Sequence, residues 1–277
     1  MVSLATMNLA LRGLPDVRIL KRNVLTTTMD RAQKAELGLP LDGYSVVLAN
    51  PPFSGRLDKD RIVDDVRVGS TSATELLFLK YMIDSLEVDG RCGVIVPEGT
   101  LFGSTGAHKE LRRMLIENNR VEAVLSLPGG VFQPYSGVKT SVLIFTKGKD
   151  KEKRATERVM FLHADQDGFK LDANHDAPIE RDDLPGLIDA FKARDQMWGG
   201  WQARDLTKPW TEKWWFADIE TIRAESFNLS ASRFRPDATE AVEHADPRKL
   251  LRELRDETLE ILGEIDALTF ELTEVQQ

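Results

Sequence analysis

The chain has 277 residues, 42% hydrophobic and 30% charged, which allows one large folded domain or one domain plus an appendage. No apolar run approaches the roughly 20 residues of a membrane span, the first residues lack the basic start and cleavage site of a signal peptide, and a single cysteine excludes an internal disulfide framework, so no membrane partner and a cytoplasmic location are expected. The net charge of −8 disfavours a stand-alone nucleic-acid binder, yet residues 237–277 hold 12 acids against 4 bases and carry the whole excess, leaving a neutral body.

In chain order, Leu4 to Leu14 reads as an apolar helix closed by Gly13 and Pro15, and Val17 to Leu20 as a short strand. Tyr44 to Ala49 is a β-branched run between Asp42-Gly43 and Pro51-Pro52, which predicts a buried strand. Ser54 to Ala73 is polar and aperiodic and reads as a mobile loop. Ser72 to Glu75 fits a capping box before an apolar helix from Glu75 to Leu86. A strand follows at Gly93 to Val96, with Cys92 read as a buried structural thiol. A helix is expected from Lys109 to Asn118, and strands at Val121 to Leu125 and Val138 to Phe145. Alternating strands and helices predict an α/β fold with a largely parallel sheet over residues 1–150.

Residues 151–236 hold all five tryptophans among Gly, Pro and charges and read as an irregular extension. The indoles either pack beneath irregular chain or stack on bases. Residues 237–277 read as an acidic helical tail for subunit docking. Leu251, Leu254, Thr258, Ile261, Ile265, Leu268, Leu272 and Val275 recur at spacings of 3 and 4, the seam of a coiled-coil-type helix that either packs on its own body or meets a partner helix. His108, His163, His175 and His244 lack ligand spacing, so no metal is expected.

Asn50-Pro51-Pro52-Phe53 stands at the end of the predicted strand Tyr44 to Ala49, where α/β sheets bind ligands. The pattern suits an exocyclic amine, whose lone pair is delocalised into an aromatic ring. Two acceptors that take both amino hydrogens favour the pyramidal, nucleophilic nitrogen. The Asn50 side-chain carbonyl and the Pro51 backbone carbonyl can be those acceptors, preorganised for the charge that develops. Phe53 offers a flat face to a planar substrate.

Gly43 to Phe53 resembles the catalytic motif of N6-adenine DNA methyltransferases, and more specifically the modification subunit of type I restriction-modification systems. Four other stretches carry the same resemblance: Met7 to Gly13, Gly90 to Phe102, Leu127 to Thr140, and Phe227 to Phe234. The resemblance implies a Rossmann-like class I methyltransferase sheet of order 3-2-1-4-5-7-6, present here only in part, with residues 1–150 as the C-terminal part of the catalytic domain. It implies that Asn50, Pro51, Pro52 and Phe53 hold a flipped adenine, with Phe132 and Tyr135 as further base-binding aromatics. Asn23 and Phe78 would contact S-adenosylmethionine. The glycine-rich cofactor turn and the acidic residue ending the second strand in the family are not found in these residues, so a C-terminal fragment, a split gene product or a degraded gene is expected, completed, if at all, by another chain that supplies a missing N-terminal half. Implied partners are duplex DNA, the restriction subunit, and a specificity subunit docked on the C-terminal helix. Two alternatives are a truncated scaffold that only binds the specificity subunit, and a protein or RNA amino-methyltransferase sharing the Asn-Pro-Pro-aromatic logic.

Overall fold

The computed structural model describes residues 2–14, 16–149 and 156–236; the coiled-coil-type helix expected in the acidic tail lies outside them. The described chain forms a mixed six-stranded sheet of order β1 (Tyr44–Ala49), β2 (Leu86–Pro97), β4 (Thr140–Thr146), β3 (Arg120–Ser126), β5 (Arg158–His163) and β8 (Trp214–Asp218), a small two-stranded sheet of β6 (Asp167–Phe169) and β7 (Pro178–Asp182), and two helices ahead of β1, α1 (Val2–Leu11) and α2 (Arg31–Glu36).

β1 (Tyr44–Ala49) enters through Gly43 at φ 116°, where a Cβ would lie 2.4 Å from the Glu87 nitrogen, so only glycine lets the strand start this close to its neighbour. The strand ends before Pro51-Pro52, which have no N–H to extend a ladder. α3 (Thr74–Ser85) returns the chain, burying Leu76, Leu77, Leu79, Met82 and Ile83 along one stripe, each contributing on the order of 1.5–3 kcal/mol. Its N-cap is Ala73 with no side-chain bond, so the expected capping box is not formed. β2 (Leu86–Pro97) is far longer than the expected Gly93 to Val96, because it pairs on both sides: parallel to β1 and antiparallel to β4. The helices α4 (Glu98–Phe102) and α5 (Gly106–Asn118) lead to β3 (Arg120–Ser126) and β4 (Thr140–Thr146). The order β1-β2-β4-β3 reproduces the 4-5-7-6 half of the implied sheet.

Two expectations change. Val17 to Leu20 forms no strand: nothing among the described residues pairs with it, and the Arg18 guanidinium instead donates to the Leu37 carbonyl. The helix before it, α1 (Val2–Leu11), forms but covers no sheet; none of its residues is buried, and Leu11 is 88% exposed. Ser54 to Ala73 is fastened rather than loose. Arg56 bridges Ala73, and Ile62, Val66 and Val68 are buried. Within the sheet β1, β2, β3 and β5 run in one direction and β4 and β8 in the other.

The segment read as an irregular extension from 151 is regular where it is described. β5 (Arg158–His163) pairs parallel with β3, and β8 (Trp214–Asp218) pairs antiparallel with β5, so both extend the main sheet. Between them lie the hairpin β6 (Asp167–Phe169) and β7 (Pro178–Asp182) and the helices α6 (Leu184–Lys192) and α7 (Arg194–Gln202); α8 (Ile219–Ala224) follows β8. β5 and β8 thus join the hydrophobic cluster of the main sheet, while Leu25, Ile62, Val66 and Leu77 form a second, smaller cluster. Along β8 side chains alternate between faces. Phe216 turns to Trp198 and Trp201 of α7, while Trp215, fully buried, lies under Arg235 on the other. The indoles of Trp198, Trp201, Trp210 and Trp214 pack against one another or against Phe216.

Among the described residues β1 pairs only with β2, leaving that edge of the sheet open, and its Tyr44, Val46 and Leu48 are exposed, Leu48 by 82%. No helix among the described residues is long and apolar enough to cross a membrane.

Candidate active site

The carboxyl ends of the parallel strands β1 and β2 deliver Asn50 and Glu98 to the same rim of the sheet. Asn50 is exposed. Among the described residues nothing hydrogen-bonds to its side-chain amide, and nothing takes the Pro51 carbonyl. Two acceptors at a strand end are thus free for a ligand. Phe53, half-buried, sits beside them, and Thr74 N–H donates to the Gly55 carbonyl at 3.1 Å, tying the turn after Phe53 to the start of α3.

Phe132 comes to the same place from the far side of the chain. Its ring meets Phe53 edge to face, with centroids 4.9 Å apart and an interplanar angle of 68°. The loop that carries it, between β3 and β4, is braced at both ends. Gly130, at φ 92°, makes the turn in which Gln133 N–H donates to the Gly130 carbonyl at 2.9 Å. Leu127 N–H donates to Thr140 at 3.0 Å, and Glu98 N–H to the Lys139 carbonyl at 3.0 Å. The Glu98 carboxylate receives the Ser126 hydroxyl at 2.8 Å and pairs with Lys139 Nζ at 3.4 Å. Tyr135, from the same loop, is 94% exposed.

The base-side residues expected from the sequence therefore divide. Asn50, Pro51, Pro52, Phe53 and Phe132 gather on one rim, while Tyr135 stands clear of them in solvent. Asn23 and Phe78, expected on the cofactor side, are both held by the fold. The Asn23 side-chain oxygen accepts Leu25 N–H at 3.1 Å and its carbonyl takes Thr26 and Thr27, so it caps a turn. Phe78 packs against both hydrophobic clusters of the core. No group of three His, Cys, Asp or Glu among the described residues is placed to hold a metal ion. A surface cavity at Gly43, Tyr44 and Tyr81 lies at the foot of β1, the opposite end from Asn50, and is not part of this site.

Sequence reading missed the braces. Glu98, at the end of a strand, and Lys139, at the start of the next, are single charges without a pattern. Arg112 was hidden in the same way: it is 3% exposed and donates to the carbonyls of Phe227 and Gly103 at 2.9 Å and Thr100 at 3.3 Å. It thereby holds Phe227 to Phe234 against α4 and α5. Burial pulls its pKa below the usual guanidinium value, and neutral carbonyls are its partners. Cys92 is buried in β2, and burial pushes its thiol pKa up to about 12.

The sequence pattern of the N-6 DNA methylase family matches residues 1–244. The methylase subunit of the type I restriction enzyme EcoEI of Escherichia coli is 32% identical over 235 residues, covering 83% of this chain and 44% of the relative. The EcoKI methylase subunit of the same species is 30% identical, covering 82% and 46%. Among solved structures, the type I methyltransferase subunit of Streptococcus thermophilus superposes with a TM-score of 0.62 at 22% identity, over 84% of this chain and 45% of that one. The chain spans about half the length of the curated relatives it matches.

Proposed function

Because the chain belongs to the N-6 DNA methylase family, we propose that it is the base-holding part of a type I modification methylase, acting on the N6 amine of adenine in duplex DNA with S-adenosylmethionine as methyl donor. The observation that carries this reading is the meeting of Phe53 and Phe132 beside the unbonded acceptors of Asn50 and Pro51. An adenine extruded from the duplex presents a flat ring to the two phenyl groups and its amine to the two carbonyls. Asn50 and Pro51 accept the amine hydrogens, and this preference grows as the nitrogen becomes tetrahedral. The rings 4.9 Å apart leave no room for a base between them, so Phe132 moves with its loop when the base enters.

Asn23 and Phe78, the residues expected on the methyl donor's side, are both engaged in the fold, so a cradle for the donor is assigned to strands beyond them. The open edge of β1 is where the strands that bear such a cradle would pair, and its exposed Tyr44, Val46 and Leu48 support that placement. A neutral body grips DNA weakly, which supports assembly with a specificity subunit and a restriction subunit. The acidic residues 237–277 suit a basic surface on the specificity subunit.

The test is labelled methyl transfer to duplex DNA and, separately, to protein and RNA by the purified assembly. Incorporation into DNA that Asn50→Ala abolishes supports the reading; transfer to protein or RNA instead replaces it with another amino-methyltransferase. The open edge also favours a non-catalytic scaffold. Methyl transfer to DNA by the purified assembly separates the two: transfer that Asn50→Ala abolishes overturns the scaffold, and transfer that it leaves undiminished supports it.

A further inference from the structure

We propose that Tyr135 enters the base stack and fills the gap that the extruded adenine leaves. This rests on the base-holding reading above and adds a second role for the same loop.

Tyr135 is 94% exposed, the most exposed of the large hydrophobic side chains among the described residues. It is not on a slack segment. The Ser136 N–H donates to the Phe132 carbonyl at 2.9 Å, so Phe132 and Tyr135 belong to one closed turn. That turn stands on the Gly130–Gln133 bond and on the Glu98–Lys139 brace at its base. The hairpin between β6 and β7 lies beside it, with Leu171 near the position a Gly130 side chain would occupy.

The two aromatics of the turn have different surroundings. Phe132 is engaged with Phe53 at the strand end, so it is committed to the pocket. Tyr135 touches nothing there. Extrusion takes one base out of the stack and leaves two neighbouring base faces and an unpaired partner base exposed to water. A phenol ring is flat enough to stack between those faces, at about 1–3 kcal/mol per base contact. Its hydroxyl can donate to or accept from the edge of the orphaned base. One turn thus places a ring against the extruded base and another in the space it vacated, which couples extrusion to capture.

The experiment uses the purified assembly and a duplex in which 2-aminopurine replaces an adenine that the assembly methylates. Fluorescence rises when 2-aminopurine leaves the stack. A second duplex has the same 2-aminopurine opposite an abasic residue, where extrusion needs no wedge. Tyr135→Ala is expected to lower the rise roughly tenfold on the paired duplex and less than about twofold on the abasic-opposed one, while Tyr135→Phe keeps both. An unchanged rise on the paired duplex with Tyr135→Ala overturns the proposal. So does an equal loss on both, which assigns Tyr135 to the pocket or to the integrity of the loop. Phe132→Ala is expected to reduce both. If Phe132→Ala leaves both intact while Tyr135→Ala shows the selective loss, the pocket reading fails and the wedge stands. If no adenine in any DNA is methylated, both fall.

Discussion

Phe53 and Phe132, brought from the end of β1 and from the loop between β3 and β4, touch edge to face at 4.9 Å beside the free amide of Asn50. In the absence of a base the two rings cover one another; with a base present they become its walls. Phe132→Ala should therefore cost little stability, about 0.5–1.5 kcal/mol for the lost pair beyond its buried area, but lower kcat/KM for DNA by at least roughly tenfold. Urea unfolding and steady-state methylation of the assembled enzyme check the two halves of this expectation.

Asn50 should separate the same quantities more sharply. Its side chain is exposed and bonded to nothing among the described residues, so Asn50→Ala should leave the unfolding midpoint unchanged. Removing a preorganised acceptor should lower kcat by on the order of 10²–10³. A variant that lost stability along with activity would show that Asn50 serves the fold instead.

How much of this was legible in the sequence depends on whether a residue's role is local. Asn50 to Phe53 and the strand before it could be read directly, because a β-branched run ending in two prolines determines where the backbone stops and what is left free. α3 could be read from its apolar stripe. Val17 to Leu20 looked like a strand, but a strand exists only when another pairs with it, and none does here. β5 was visible as the apolar run Val159 to Leu162 and was lost among the flanking charges; β8 is defined by pairing with β5 and by the burial of Trp215, facts that no window of sequence contains. The Glu98–Lys139 brace and the Arg112 bonds join distant segments through single charged residues, which leave no periodic trace.

Arg112 carries the clearest stability prediction. Its guanidinium satisfies three carbonyls, on Phe227, Gly103 and Thr100, in a site almost closed to water. Arg112→Met keeps most of the volume and orphans those acceptors, each at a cost of about 1–3 kcal/mol. We expect a loss of at least roughly 2 kcal/mol in urea denaturation, and earlier proteolysis at Phe227 to Phe234.

Glu122 sets a pH dependence. Burial raises its carboxyl pKa, but the Thr146 hydroxyl, Arg120 and Arg194 outweigh burial, and the net pKa lies below the ordinary glutamate value of 4.5. Arg194 Nη2 lies 2.6 Å from its carboxylate and fastens α7 to β3. A folded pKa below the unfolded one gives stability that is fully present above pH 4.5 and is lost as pH falls through the folded value. Glu122→Gln should thus be destabilising near neutrality and should flatten the acid limb of the stability curve below pH 4.5, as read from thermal unfolding across pH.

Cys92 should be inert. With its thiol pKa pushed up to about 12 inside β2, it should react with thiol reagents only at the rate of global unfolding, and full labelling should require denaturant.

The central claim is that Asn50, Pro51, Phe53 and Phe132 hold an adenine by its N6 amine. Digesting methylated DNA to nucleosides after reaction with the purified assembly, and identifying the product by mass spectrometry, tests it most directly. The account predicts N6-methyladenine as the product, abolished by Asn50→Ala. N4-methylcytosine, or N6-methyladenine formed undiminished by Asn50→Ala, would contradict it.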